Sequence, residues 1–125
     1  MKETPMSNAP LLAPLGSPDD LAATLARLAS TIDARASEDT GTSYTAQLRI
    51  KGPSKIAKKM IEEGGEFALA LTGEDEQAVA SEAADVLYHM LVGLRARGVS
   101  LEDVASVLAA REGTSGLEEK ASRKD

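Results

Sequence analysis

Five carboxylates stand in two short groups: Glu62, Glu63 and Glu66, then, fifteen residues further on, Glu82 and Asp85. The spelling is E-E-x-x-E followed by E-x-x-D. On a helix, residues three or four apart share a face, so each group can present two carboxylates along one edge. Carboxylates crowded within a few ångströms repel, and burial raises the penalty. A hard divalent cation removes the conflict, and magnesium, which takes oxygen ligands and often shares them with substrate phosphate, is the expected ion. One helix supplies only two ligands to one ion, so the pattern requires two helices and fits one ion or two. A di-iron site of the Glu-x-x-His type is not expected, because the single histidine, His89, has Val86 three residues before it. His89 itself fits either a hydrogen-bonded position at the edge of the core or a ligand.

The elements around these acids read as helices. Ser17 caps a first helix with Pro18 at its first position, and Leu21, Leu25, Leu28 and Ile32 recur at helical spacing to about Arg35. Ser43 caps a short helix to Ile50, and Gly52-Pro53 punctuates before a third, from Pro53 to Thr72, with Ile56, Met60, Phe67 and Leu71 toward the core. A fourth runs from near Glu74 to Arg97, with Val79, Ala83, Val86, Leu87, Met90, Leu91 and Leu94 apolar and Gly98 as the stop. Ser100 and Asp103 form a capping arrangement for a fifth, and the tail from Glu112 reads as exposed. No period-two pattern of useful length occurs. The expectation is an all-α bundle of four or five helices over residues 17–125, preceded by a flexible arm over 1–16. The short connection at Gly73 makes the third and fourth helices antiparallel neighbours, so the two acidic edges face each other. Gly64 and Gly65, each costing about 1 kcal/mol relative to alanine inside a helix, are either a tolerated weak spot or room for a nucleotide or another helix.

Charge is partitioned along the chain. Thr40 to Ile61 contains five bases and no acid, whereas Glu62 to Asp85 contains eight acids and no base. Such segregation suits a polyanion arriving with a divalent metal, and Arg49, Lys51, Lys55, Lys58 and Lys59 are the phosphate-binding candidates, with Arg111, Lys120 and Arg123 further along. Tyr44 and Tyr88 are the two tyrosines able to offer a ring to a base, Tyr88 fitting the core better. A net charge of -6 argues against nucleic acid. The chain lacks cysteine, and only 2% of its residues are aromatic, so the core is thin enough to call for a partner subunit. No secretory signal or membrane span is legible, which makes the cytoplasm the expected compartment.

"ExxE" and "ExxD" on paired helices resemble the all-α nucleoside-triphosphate pyrophosphohydrolase superfamily. Within it, "SYTAQL", "KGPSKIAKKMIEEGGE", "SEAADVLYHMLVGLRARGVSLEDV" and "REGTSGLEEKASR" are similar to the phosphoribosyl-ATP pyrophosphatase family of bacteria, over about Leu21 to Lys124. Gly64 departs from that pattern, where alanine is more usual, and the N-terminal arm is not part of it. The resemblance implies hydrolysis of phosphoribosyl-ATP to phosphoribosyl-AMP and pyrophosphate in histidine biosynthesis. It also implies Glu63, Glu66, Glu82 and Asp85 as magnesium ligands, Glu62 as a further ligand or the group orienting the water, and a homo-oligomer of at least two subunits. Two rivals remain at this point: a house-cleaning hydrolase of other nucleoside triphosphates, and a non-catalytic helical oligomer.

Overall fold

The computed structural model describes residues 15–37, 41, 43–73, 75–113 and 116–123. Among them are six helices and no strand: α1 (Asp19–Arg35), α2 (Tyr44–Lys51), α3 (Pro53–Leu71), α4 (Glu76–Arg97), α5 (Leu101–Ala110) and α6 (Gly116–Arg123). The all-α expectation holds, with α1 to α5 where the sequence placed five helices. The tail, expected to be exposed, is so at residues 116, 120, 121 and 123, and it carries a further helix, α6. Its residues Glu118 to Arg123 are mostly good helix formers, and that local preference outweighs the flanking glycines. Residues 1–14 of the expected arm lie outside the described residues.

Capping chemistry sets the boundaries. Ser17 Oγ accepts from the Asp19 amide at 3.3 Å, just ahead of α1. Ser43 Oγ accepts from Ala46 N at 3.1 Å and starts α2. Gly52, at φ 88°, takes the left-handed turn that separates α2 from α3, with Pro53 opening α3. Asp75 accepts from Ala78 N at 2.8 Å ahead of α4. Gly98, at φ 70°, ends α4 in the left-handed region, and Ser100 with Asp103 forms a reciprocal capping box on α5.

The core is small. Ile32, Leu48, Ile56, Leu91 and Val92 are buried together, with Leu25, Leu28, Tyr88, Leu94 and Leu101 packed against them. Helices α3 and α4 form the most extensive pair, and α1 and α2 close over their Ile56 and Val92 ends. Two details differ from the helical-arc reading. Leu71 and Met90, expected inside, are 60% and 40% exposed, while the inward line of α3 runs through Ile56, Glu63 and Ala70. On α4 the buried residues are His89, Leu91 and Val92. Both helices carry apolar residues on more than one side, so periodicity alone leaves the rotation of each about its axis open.

Candidate active site

The antiparallel register of α3 and α4 can be followed along their length. A Cβ at Gly93 would lie 3.5 Å from Ile56 Cγ2, so positions 56 and 93 face each other. Advancing along α3 and retreating along α4 by the same amount brings Glu63 to the level of Val86, next to Asp85, and Glu66 to that of Ala83, next to Glu82. Carboxylate oxygens of Glu63, Glu66 and Glu82 accordingly lie within 4.8 Å of one another. Glu63 and Glu66 of the first acidic group therefore meet Glu82 of the second between α3 and α4. Asp85, one turn beyond Glu82 and exposed, stands outside that trio, and its charge is felt at Glu82.

Glu63 is 9% exposed, and its position on the core line of α3 is the reason. Glu82 Oε1 is buried with no hydrogen-bond partner among the described residues. Burial, and then the charges of Glu66, Asp85 and Glu63, push the Glu82 carboxyl above its ordinary pKa. An all-oxygen donor set that includes a residue with an unpartnered buried oxygen fits a hard divalent cation. Glu63, Glu66 and Glu82 would hold it, with Asp85 within a turn.

Lys59 closes one end of the cleft. Its ammonium lies 3.1 Å from Glu62 Oε1 and 3.9 Å from Glu63 Oε2, across the junction of the basic and acidic blocks. The hydrogen bond to Glu62 is the main cause of a raised Lys59 pKa and a lowered Glu62 pKa. Glu62, with its side chain 56% exposed, is set apart from the trio and faces solvent.

Behind Lys59 stands a polar wall built from two neighbouring pairs. The Tyr44 hydroxyl lies 3.0 Å from His89 Nε2, and His89 Nδ1 lies 2.8 Å from the Asp85 carbonyl. A carbonyl only accepts, so Nδ1 carries a proton and donates to Asp85, while Nε2 faces the Tyr44 hydroxyl. Next to this, Thr45 Oγ1 and the Tyr88 hydroxyl are 2.6 Å apart. The Tyr44 and Tyr88 rings stack with centroids 6.2 Å apart, and His89 meets Tyr88 edge-on at 5.0 Å. Tyr44 remains 44% exposed, so this wall presents an aromatic ring to solvent. Burial raises the Tyr44 pKa despite the opposing charge of Lys59. His89 is thus a hydrogen-bonded residue at the edge of the core. The sequence reading did not single out Thr45. The available signal was the matching of two adjacent polar-aromatic pairs, Tyr44-Thr45 and Tyr88-His89, on helices that must pack. Thr45→Val, nearly isosteric, should lower unfolding free energy by about 1 kcal/mol in urea denaturation, because it strands the Tyr88 hydroxyl.

The remaining bases are distributed unequally. Lys55 lies near enough to Glu62 to lower its pKa, and Lys58 is exposed on the outer side of α3. Lys51 is exposed at the end of α2. Arg49 donates from Nε to the Ala36 carbonyl at the end of α1 and lines a small cavity with Ile32, Ile56 and Val92. Its observed role is to tie α2 to α1. Arg111 ends α5, and Lys120 and Arg123 ride on α6, helices without extensive packing on α3. A Cβ at Gly64 or Gly65 would meet nothing within 4 Å, so neither glycine is required by packing inside one chain.

Comparison with known proteins gives the family. Residues 25–112 match the family model described as phosphoribosyl-ATP pyrophosphohydrolase. A phosphoribosyl-ATP pyrophosphatase of Cereibacter sphaeroides is 54% identical over 99 residues, covering 79% of this chain and 96% of the relative. Phosphoribosyl-ATP pyrophosphatase 1 of Rhodopseudomonas palustris is 54% identical over 101 residues, covering 81% and 94%. The phosphoribosyl-ATP pyrophosphatase of Paracoccus denitrificans is 54% identical over 100 residues, covering 80% and 93%. Since the matched region contains the whole acidic cleft and the wall of Tyr44 and His89 beside it, the chain belongs to the phosphoribosyl-ATP pyrophosphohydrolase family.

Proposed function

We propose that this chain hydrolyses phosphoribosyl-ATP to phosphoribosyl-AMP and pyrophosphate, the second step of histidine biosynthesis, as a magnesium-dependent homo-oligomer. The observation that carries this reading, together with the family, is the convergence of the Glu63, Glu66 and Glu82 carboxylates, with Glu82 Oε1 buried and unpartnered among the described residues. In the reaction, water attacks the α-phosphorus, the bond from that phosphorus to the α–β bridging oxygen breaks, and pyrophosphate leaves. Glu63, Glu66 and Glu82, with Asp85 within a turn, would hold magnesium, which when bound would neutralise charge on phosphate oxygens and lower the pKa of water.

The chain's own groups do the rest. Glu62 stays ionised beside Lys59 and stands free of the trio, so it accepts the proton of the attacking water. Lys59 and Lys55 bind phosphate oxygens at the end of the cleft, and Tyr44 offers its exposed ring to the adenine. Lys51, Lys58, Arg111, Lys120 and Arg123 form the outer basic set, which meets substrate only where a neighbouring subunit brings it close. The described helices include none long and apolar enough to cross a membrane.

The test is pyrophosphate release from phosphoribosyl-ATP, with and without magnesium, against a panel of deoxynucleoside triphosphates. Metal-dependent release from phosphoribosyl-ATP at a kcat/KM well above that of every other nucleotide is expected. Preference for a deoxynucleotide would overturn the substrate, and metal-independent release would overturn the role of the carboxylates.

A further inference from the structure

The chain has three phenyl-type rings, and Tyr44 is the one that turns a large face to solvent. It is 44% exposed, while Phe67 and Tyr88 are half-buried. Its placement is fixed from two directions. The hydroxyl lies 3.0 Å from His89 Nε2, and the ring stacks on Tyr88 at a centroid distance of 6.2 Å, with the planes 22° apart. The Tyr88 hydroxyl is itself held by Thr45 at 2.6 Å. A flat surface held in this way loses little freedom when a second ring lies on it.

Tyr44 also stands at a useful distance from the acidic cleft. His89, which meets its hydroxyl, follows Glu82 by seven residues, or about 10 Å along α4. An α-phosphate resting at the carboxylates reaches roughly that far through its ribose to the base.

The electrostatic surround of the ring is negative. The charged side chains acting on the Tyr44 hydroxyl are Lys59, Glu63 and Glu62. Lys59 is already engaged, 3.1 Å from Glu62 and 3.9 Å from Glu63, so one ammonium is shared by two carboxylates. An aromatic face in such a setting attracts a delocalised cation and gives a neutral ring no more than stacking.

The base of phosphoribosyl-ATP is a cation of this kind. The second ribose is bonded to adenine N1, so that lone pair is spent and the ring carries a positive charge, spread over N1 and the 6-amino group. It becomes neutral only when the amino group gives up a proton. The adenine of ATP has N1 free and is neutral at the same pH. Both nucleotides present the same triphosphate to the carboxylate site, so the charge of the base is what separates them at Tyr44.

We infer that Tyr44 is a specificity-determining residue that reads the positive charge of an N1-substituted adenine, so that the site prefers N1-alkylated adenine nucleotides to ATP. The inference rests on the substrate reading above and adds the feature by which that substrate is told from ATP. Tyr88 and His89 act in it as positioning residues.

Competition against phosphoribosyl-ATP hydrolysis, with four nucleotides as inhibitors, tests the inference. 1-Methyl-ATP carries the charged ring without the second ribose, and 1-methyl-ITP has nearly the same shape with a neutral 6-oxo ring. ATP and ITP correct for the exchange of amino for oxo. The ratio of inhibition constants of 1-methyl-ITP to 1-methyl-ATP, divided by that of ITP to ATP, should be about 10 in the wild-type protein. Tyr44→Phe, which keeps the face, should retain most of this factor. Placing 4-fluoro- and then 3,4,5-trifluorophenylalanine at position 44 thins the π density at similar volume and should bring the factor stepwise toward 1. Tyr44→Leu should abolish it. Local structural damage would weaken all four nucleotides alike and leave the ratio unmoved. A wild-type protein that 1-methyl-ATP inhibits no better than 1-methyl-ITP, or a factor that fluorination and leucine leave unchanged, overturns the role of Tyr44 and leaves the substrate reading standing. Absence of pyrophosphate release from phosphoribosyl-ATP in the uninhibited wild-type reaction overturns both.

Discussion

Glu63→Gln should lower magnesium-dependent kcat/KM on phosphoribosyl-ATP by at least about 100-fold while leaving the melting temperature unchanged or raised. Even partners that only orient metal ligands cost 10- to 100-fold on removal, so a ligand itself should cost no less. The opposite sign for stability is the informative part. Glu63 is 9% exposed, and its oxygen lies within 4.8 Å of those of Glu66 and Glu82. Glutamine keeps the shape and removes one of three mutually repelling charges. What it gives up is the 3.9 Å approach to Lys59, a partly exposed pair of small worth. A buried polar residue with a purely structural role behaves the other way, losing stability and sparing turnover. Steady-state pyrophosphate release and a thermal melt on the same preparation separate the two outcomes.

Magnesium should stabilise the folded chain, and increasingly so as pH rises. Glu82 has a pKa above its ordinary value in the metal-free fold, first because of burial and then because of Glu66, Asp85 and Glu63. The folded state therefore holds that proton more tightly than the unfolded chain does. As pH climbs from the ordinary carboxylate range through the raised value, the metal-free protein must ionise a crowded group and loses stability. Below the ordinary range the penalty is absent. A bound cation offsets the crowding, so the gain on adding magnesium grows across that interval. At a free metal concentration 100 times its dissociation constant, the stabilisation amounts to about 2.7 kcal/mol. Melts recorded with magnesium and with chelator at several pH values test this. An increment that shrinks as pH rises, or that persists undiminished in Glu82→Gln, would place the metal elsewhere.

Much of the fold was legible because its signals are local. Ser43, Gly52-Pro53, Gly98 and the Ser100–Asp103 pair act through their own backbone neighbours, and α2 to α5 begin and end within a residue or two of where those signals put them. The acidic cleft was legible for a related reason. Spacing of three places carboxylates on one edge, and a short connection makes consecutive helices antiparallel, so Glu63 and Glu66 had to meet the edge holding Glu82.

The rotation of each helix about its axis was decided by tertiary packing. Where one helix bears apolar residues on two sides, the sequence offers two inward faces, and burial selects the one with the greater gain against its actual neighbours. That choice exposed Leu71 and Met90, put Glu63 on the core line and sank His89. It also assigned the bases: Lys59 to the cleft, Arg49 to the end of α1, and Lys58 to the outer face of α3. Charge type and spacing are written in the chain, but which carboxyl loses its water depends on the neighbours that exclude it.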